Sequence, residues 1–148
     1  MSEEESRLFT LAEAEKMRAE LEPILIDAIE TRRKMSGPEH QLRELAERIM
    51  NSGGLMVPYD QAARWRAELD KFKLGVKAAI DRIHATGCVV KDLEVGLLDF
   101  PARLNDEDIY YCWRLGEDRI RFYHRQDEGF AGRKPIDPRD KDYEPPTH

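Results

Sequence analysis

Apolar residues recur at helical spacing up to Gly87 and alternate after it, and this one change of period divides the chain. The clearest stripe runs Ala62, Trp65, Leu69, Phe72, Val76, Ala79, Ile83, stepping by 3 and 4 throughout. Asp60 is the expected N-cap and Gly87 the expected residue after the C-cap. An earlier stripe, Ala14, Met17, Leu21, Ile24, Ala28 and Met35, has the same step once Thr31 fills its polar gap. Thr10 stands three residues before Glu13, the spacing of a capping box. Pro23 lies inside this helix and predicts a kink, since proline removes one backbone hydrogen bond. Ser36-Gly37-Pro38 ends the first helix, and Pro38 suits the first turn of a second with Leu42, Leu45, Ile49 and Met50 on its face. Two long helices with matching stripes predict an antiparallel hairpin with a short helix at the connection.

Four extended segments follow: Cys88–Val90, Leu97–Leu104, Ile109–Arg114 and Arg119–Arg125. A two-residue turn at Asp106-Glu107 places Phe100 opposite Trp113, and a four-residue loop at Leu115–Asp118 places Tyr111 opposite Phe122. This register gathers Leu98, Phe100, Ala102, Leu104, Ile109, Tyr111, Trp113, Ile120 and Phe122 on one face. His124 falls at the end of that apolar face. The other face then carries Asp99, Tyr110, Cys112, Arg114, Arg121 and Tyr123, with Asp99 facing Arg114, Cys112 facing Arg121 and Tyr110 facing Tyr123. Pro101 lies opposite Cys112 and marks its strand as an edge or a bulge there. The expected fold is α+β: a helical hairpin packed on one face of a small antiparallel meander.

The chain has 148 residues, 24 basic and 30 acidic, which is one domain's worth. We expect a single domain over residues 1–136, with helices over about 10–86 and the sheet over about 88–125. A proline-rich tail, extended or disordered, would occupy residues 137–148. Nothing approaches the roughly 20 apolar residues of a membrane span. The acidic start, Met1 to Glu5, lacks the apolar stretch of a signal peptide, so the expected compartment is the cytoplasm. A net charge of −6 argues against sequence-independent nucleic-acid binding.

Cys112 is the first candidate for chemistry, because a thiol beside Arg114 and Arg121 would be a better nucleophile. The plain alternative is a small side chain filling a sheet position. Asp99, Cys112, Glu117 and His124 are all metal-ligand types. Their spacing matches no common metal motif, and the register converges only two of them, so no metal site is expected. It also separates Cys112 from His124 onto opposite faces. Gly129 and Gly132 precede Arg133 in a loop that would cradle an anion or simply turn on Phe130.

Several segments together resemble the bacterial domain-of-unknown-function family 2203. They are Phe9–Ala14, then Val90–Ala102 with its Gly96-Leu97-Leu98-Asp99-Phe100-Pro101-Ala102, then Cys112-Trp113-Arg114-Leu115-Gly116-Glu117, then Tyr123-His124 and Gly129-Phe130-Ala131-Gly132-Arg133. The resemblance spans roughly Phe9 to Ile136 and implies a single domain. It brings no activity, substrate, cofactor or catalytic residue with it.

Two functions follow. The first is a non-enzymatic cytoplasmic binding or protein-interaction module using the Arg/Tyr-rich sheet face: Asp99, Tyr110, Cys112, Arg114, Glu117, Arg121, Tyr123, His124 and Arg133. Its partner would be a protein or a small anionic ligand, and the helical stripes would also suit a homodimer. The second is a small metal- or thiol-dependent enzyme centred on Cys112, Asp99, Glu117 and His124.

Overall fold

In the computed structural model, residues 7–53 and 58–139 are described. The acidic start, the end of the Asn51–Gly54 breaker and most of the proline-rich tail lie outside them. Helix α1 (Leu11–Lys34) opens on the expected capping box: the Thr10 hydroxyl accepts from the Glu13 amide at 3.1 Å, and the Thr10 amide donates to Glu13 at 2.9 Å. Pro23 sits inside α1, and the helix runs through it without interruption. The break comes at Met35, from which α2 (Ser36–Ser52) continues with Pro38 in its first turn. At 17 residues α2 is longer than expected for a connecting helix. Helix α3 (Tyr59–Ala85) returns antiparallel against both. Its first residue is Tyr59, so Asp60 is not the N-cap; it lies in the first turn, where a carboxylate suits the positive end of the helix dipole. Gly87, at φ +100°, follows the C-cap as expected.

The sheet contains β1 (Val89–Asp92), β2 (Leu97–Leu104), β3 (Glu107–Arg114), β4 (Phe122–Arg125) and a two-residue β5 (Lys134–Pro135), antiparallel and in chain order. Its inner face supplies Leu98, Phe100, Ala102, Leu104, Ile109, Tyr111 and Trp113, all at most 1% exposed. They pack with Leu11, Ala14, Leu21, Leu25 and Ile29 of α1 and Ile83 of α3. Each large apolar side chain buried in this way contributes about 1.5–3 kcal/mol, which makes this the stabilising centre of the molecule. The chain is therefore α+β, a helical hairpin on an antiparallel meander.

Both expected hairpin registers need correction, and the two errors differ in consequence. The β2–β3 turn uses Asn105 and Asp106, both in the left-handed region at φ 55° and 64°. Such a turn matches the twist of the strands it joins. It shifts the pairing by two residues, so Phe100 faces Tyr111 and Leu98 faces Trp113. A two-residue shift leaves every side chain on its expected face. The β3–β4 pairing is off by one: Cys112 faces Phe122, Tyr111 faces Tyr123, and Tyr110 faces His124. That moves Phe122 and His124 to the outer face and Tyr123 to the inner one. Residues 119–121 are outside the ladder, and Ile120 reaches the core because Glu15 of α1 accepts from its amide at 2.9 Å. Pro101 faces Tyr110, not Cys112. Since β1 pairs only with Leu97–Asp99, β2 has a locally free edge at Pro101, whose carbonyl accepts from the Phe9 amide at 2.8 Å.

Candidate metal centre

The outer face of the sheet brings Asp99 on β2, Cys112 on β3 and His124 on β4 side by side. Asp99 and Cys112 are direct cross-strand partners. His124 enters through the corrected register, two positions along β4 from Cys112's partner Phe122. The expected separation of Cys112 and His124 is overturned. One ligand atom from each of the three residues lies within 4.8 Å of the other two. All three residues are 1% exposed, so this part of the outer face is interior rather than a flat surface.

Hydrogen bonding fixes the chemistry of the imidazole. Its Nδ1 lies 2.9 Å from the carbonyl of Arg125, which can only accept, so Nδ1 carries a proton. Nε2 lies 3.1 Å from Asp99 Oδ2. In the neutral ring Nε2 is a lone pair facing a carboxylate oxygen, and a proton or a cation must join them. Burial raises the Asp99 carboxyl above its ordinary range, opposed by His124, Cys112 and the charge of Lys91. Burial and the Asp99 charge push the Cys112 thiol up to about 12, against the positive charge of Arg133. This is not an activated nucleophile. Both nitrogens of His124 already have partners, so this imidazole is not placed to take the Cys112 proton.

Arg133 and Glu117 complete the surroundings. The Arg133 guanidinium reaches the Glu117 carboxylate with both terminal nitrogens, at 3.2 and 2.6 Å, and its positive charge acts to hold the Cys112 thiol down against burial. Its Cζ lies over the ring of Phe122 at 4.0 Å and over that of Phe130 at 4.2 Å. Glu117 is itself fixed by the Arg114 amide at 2.8 Å. The Gly129–Arg133 loop is thus a turn anchored by Phe130, and its arginine is paired with Glu117.

Other expected neighbours are placed differently. Tyr110 tilts its ring against His124 at 5.5 Å. Arg114 faces Leu97, not Asp99, and its side chain is exposed. Arg121 does not face Cys112; it forms two bonds to Asp118 at 3.0 and 2.9 Å, on the surface. Tyr123 packs towards the core beneath Lys134. His84 lies in the last turn of α3, and its Nε2 accepts from the Val90 amide at 3.2 Å. Asp92 caps the turn after β1, accepting from the Glu94 amide at 2.9 Å. Sequence reasoning missed Phe122 and Phe130 as the rings beside Arg133, because the slipped register put Phe122 on the core side.

The family profile described as "Uncharacterized conserved protein (DUF2203)" matches residues 7–136. The chain belongs to this family. No curated protein and no solved structure matches it. Within the matched span, the segments quoted above for the resemblance deliver Asp99, Cys112, Glu117, His124 and Arg133 to one place. No helix among the described residues is long and apolar enough to cross a membrane.

Proposed function

We propose that this family member binds a divalent transition-metal ion of the zinc class through Asp99, Cys112 and His124. The observation that carries the reading is the convergence of three unlike ligand atoms within 4.8 Å in a buried site. Tetrahedral zinc, with bonds of about 2.0–2.2 Å to nitrogen and oxygen, sets those two ligand atoms roughly 3.3 Å apart. The Nε2–Oδ2 separation of 3.1 Å is close to that spacing. The Nδ1–H bond to the Arg125 carbonyl is the outer contact that orients a ligating histidine and leaves Nε2 for the metal. A carboxylate, a thiolate and a neutral imidazole together cancel a charge of +2, and a neutral centre is the form that tolerates burial. The metal would replace the Cys112 proton and the proton shared by Asp99 and His124.

Three protein donors leave one position for water or another small ligand. The depth of the site favours metal binding over turnover of a bulky substrate. A cytoplasmic setting suits a centre that needs Cys112 as a reduced thiol. The α2–α3 arm exposes Met50, Tyr59 and Leu74, a surface that suits a protein partner, a second copy included.

Elemental analysis and equilibrium dialysis of the folded protein against Zn²⁺ test the reading. One ion per chain is expected in the wild type, lost in Cys112→Ser and in His124→Ala. A folded wild type that takes up no stoichiometric Zn²⁺ overturns it.

A further inference from the structure

We infer that the chain binds a small organic anion, an apolar body with one carboxylate or phosphate group, in a cavity between the start of α1, the 119–122 segment entering β4 and the 135–138 segment leaving β5. The cavity has a volume of about 420 Å³, inside the range of roughly 300–1,000 Å³ that small-molecule sites occupy. Leu11, Ile120, Phe122, Pro135, Ile136 and Pro138 give it an apolar lining. Its only polar side chains are those of Arg119 and Arg121. No lining side chain can accept a hydrogen bond, so an ammonium group or a sugar finds no side-chain partner there. A guanidinium fork matches the oxygens of a carboxylate or a phosphate. Arg121 is already answered by Asp118, at 3.0 and 2.9 Å. The Arg119 side chain has no hydrogen bond and no ion pair among the described residues, so it is the cation left for a ligand. None of Asp99, Cys112 and His124 lines the cavity, so the anion needs no metal.

The walls are built before a ligand arrives. The Ile136 amide donates to the Arg121 carbonyl at 2.9 Å, and Phe122 pairs with Pro135. Glu15 of α1 accepts from the Ile120 amide at 2.9 Å. Leu11 and Ile120 are buried, at 4% and 5% exposed, and form the floor. The two proline rings present carbon and bring no N–H. A preformed apolar floor spares the ligand part of the ordering cost of binding. Both arginines are exposed and so lie at the mouth. Solvent and salt screen a charge placed there, so the apolar body carries much of the affinity and Arg119 selects the head group.

The test titrates the fluorescent anion anilinonaphthalene sulfonate into the folded full chain and displaces it with octanoate, octyl phosphate, octanol or acetate. One probe per chain should bind and be displaced by octanoate or octyl phosphate, with octanol and acetate each weaker by about tenfold or more. Displacement by octanoate ahead of octyl phosphate supports a carboxylate ligand, and the reverse order a phosphate ester. Arg119→Glu changes an exposed side chain and should weaken octanoate binding about tenfold. Amide resonances locate the ligand: octanoate should move those of Ile120, Phe122 and Ile136 and leave those of Met50 and Leu74 in place. Equal displacement by octanol, or wild-type affinity in Arg119→Glu, overturns the anion site. So do shifts confined to α2 and α3, and so does a wild type that binds neither octanoate nor octyl phosphate.

Discussion

Gly96 shows how much a single residue holds in place. It lies at φ +76°, and a Cβ there would stand 2.7 Å from Leu115 Cβ. Its carbonyl also accepts from the Leu115 amide at 2.9 Å, which joins the β1–β2 turn to the end of β3. Gly96→Ala therefore combines a left-handed alanine with a contact that neither backbone can relieve. It should cost about 2–4 kcal/mol in urea unfolding; a cost below 1 kcal/mol would show that the turn yields. Cys88 makes a second prediction at this scale. Burial, reinforced by the Asp99 charge, raises its thiol pKa far above the ordinary range. A raised folded-state pKa means the folded protein holds the proton more tightly. The associated stability is complete below the unfolded thiol's pKa of about 8.5 and is lost as pH rises above it. Each thiol that ionises only in the unfolded chain can steepen the loss by up to about 1.4 kcal/mol per pH unit. Between pH 8.5 and 10, with reductant present, Cys88→Ala should lose stability less steeply than the wild type. Parallel slopes would contradict it.

At the scale of elements, the capping box is a local device with a local cost. Thr10→Ala removes the acceptor for the Glu13 amide and should destabilise the protein by about 1 kcal/mol in chemical denaturation. A change within error would mean that Phe9, buried against Phe100, fixes the start of α1 unaided. That box was legible in the sequence because its two partners are three residues apart. So were the helical hairpin, whose stripes need only a period, and the inner face of β2 and β3, which survives a two-residue slip. The position of β4 was not legible. Continuing the alternation from Arg119 puts Ile120 and Phe122 on one face, as if both were buried by the same sheet. Ile120 is buried by a contact with α1 more than a hundred residues away, and the ladder starts only at Phe122. A long-range hydrogen bond leaves no periodic trace. The candidate site depended on that strand: with β4 misplaced by one residue, Asp99, Cys112 and His124 were each recognised as ligand types, yet His124 was placed on the wrong face.

For the whole molecule, stability is unevenly spread, and this gives metal binding a spatial signature. The β2–β3–β4 strands bury Phe100, Tyr111, Trp113 and the three candidate ligands almost completely. Helix α2 buries only Pro38 and Leu45 and packs chiefly on α3. Amides of the central strands should exchange with solvent only through global unfolding, and those of α2 through local opening of the arm. A metal that binds only the folded chain adds about 2.7 kcal/mol at 100 times its dissociation constant. For a chain of this size that raises Tm by roughly 5–10 °C. The added stability belongs to global unfolding. Zn²⁺ should therefore slow exchange about a hundredfold at Phe100, Tyr111 and Trp113, and leave the exposed turns of α2 unchanged. In Cys112→Ser the same addition should slow neither region. Protection that rises equally along α2 and the sheet would mean that the arm and the sheet unfold as one unit. Protection confined to α2 would place the bound ion on the helices, away from the three ligands on the sheet.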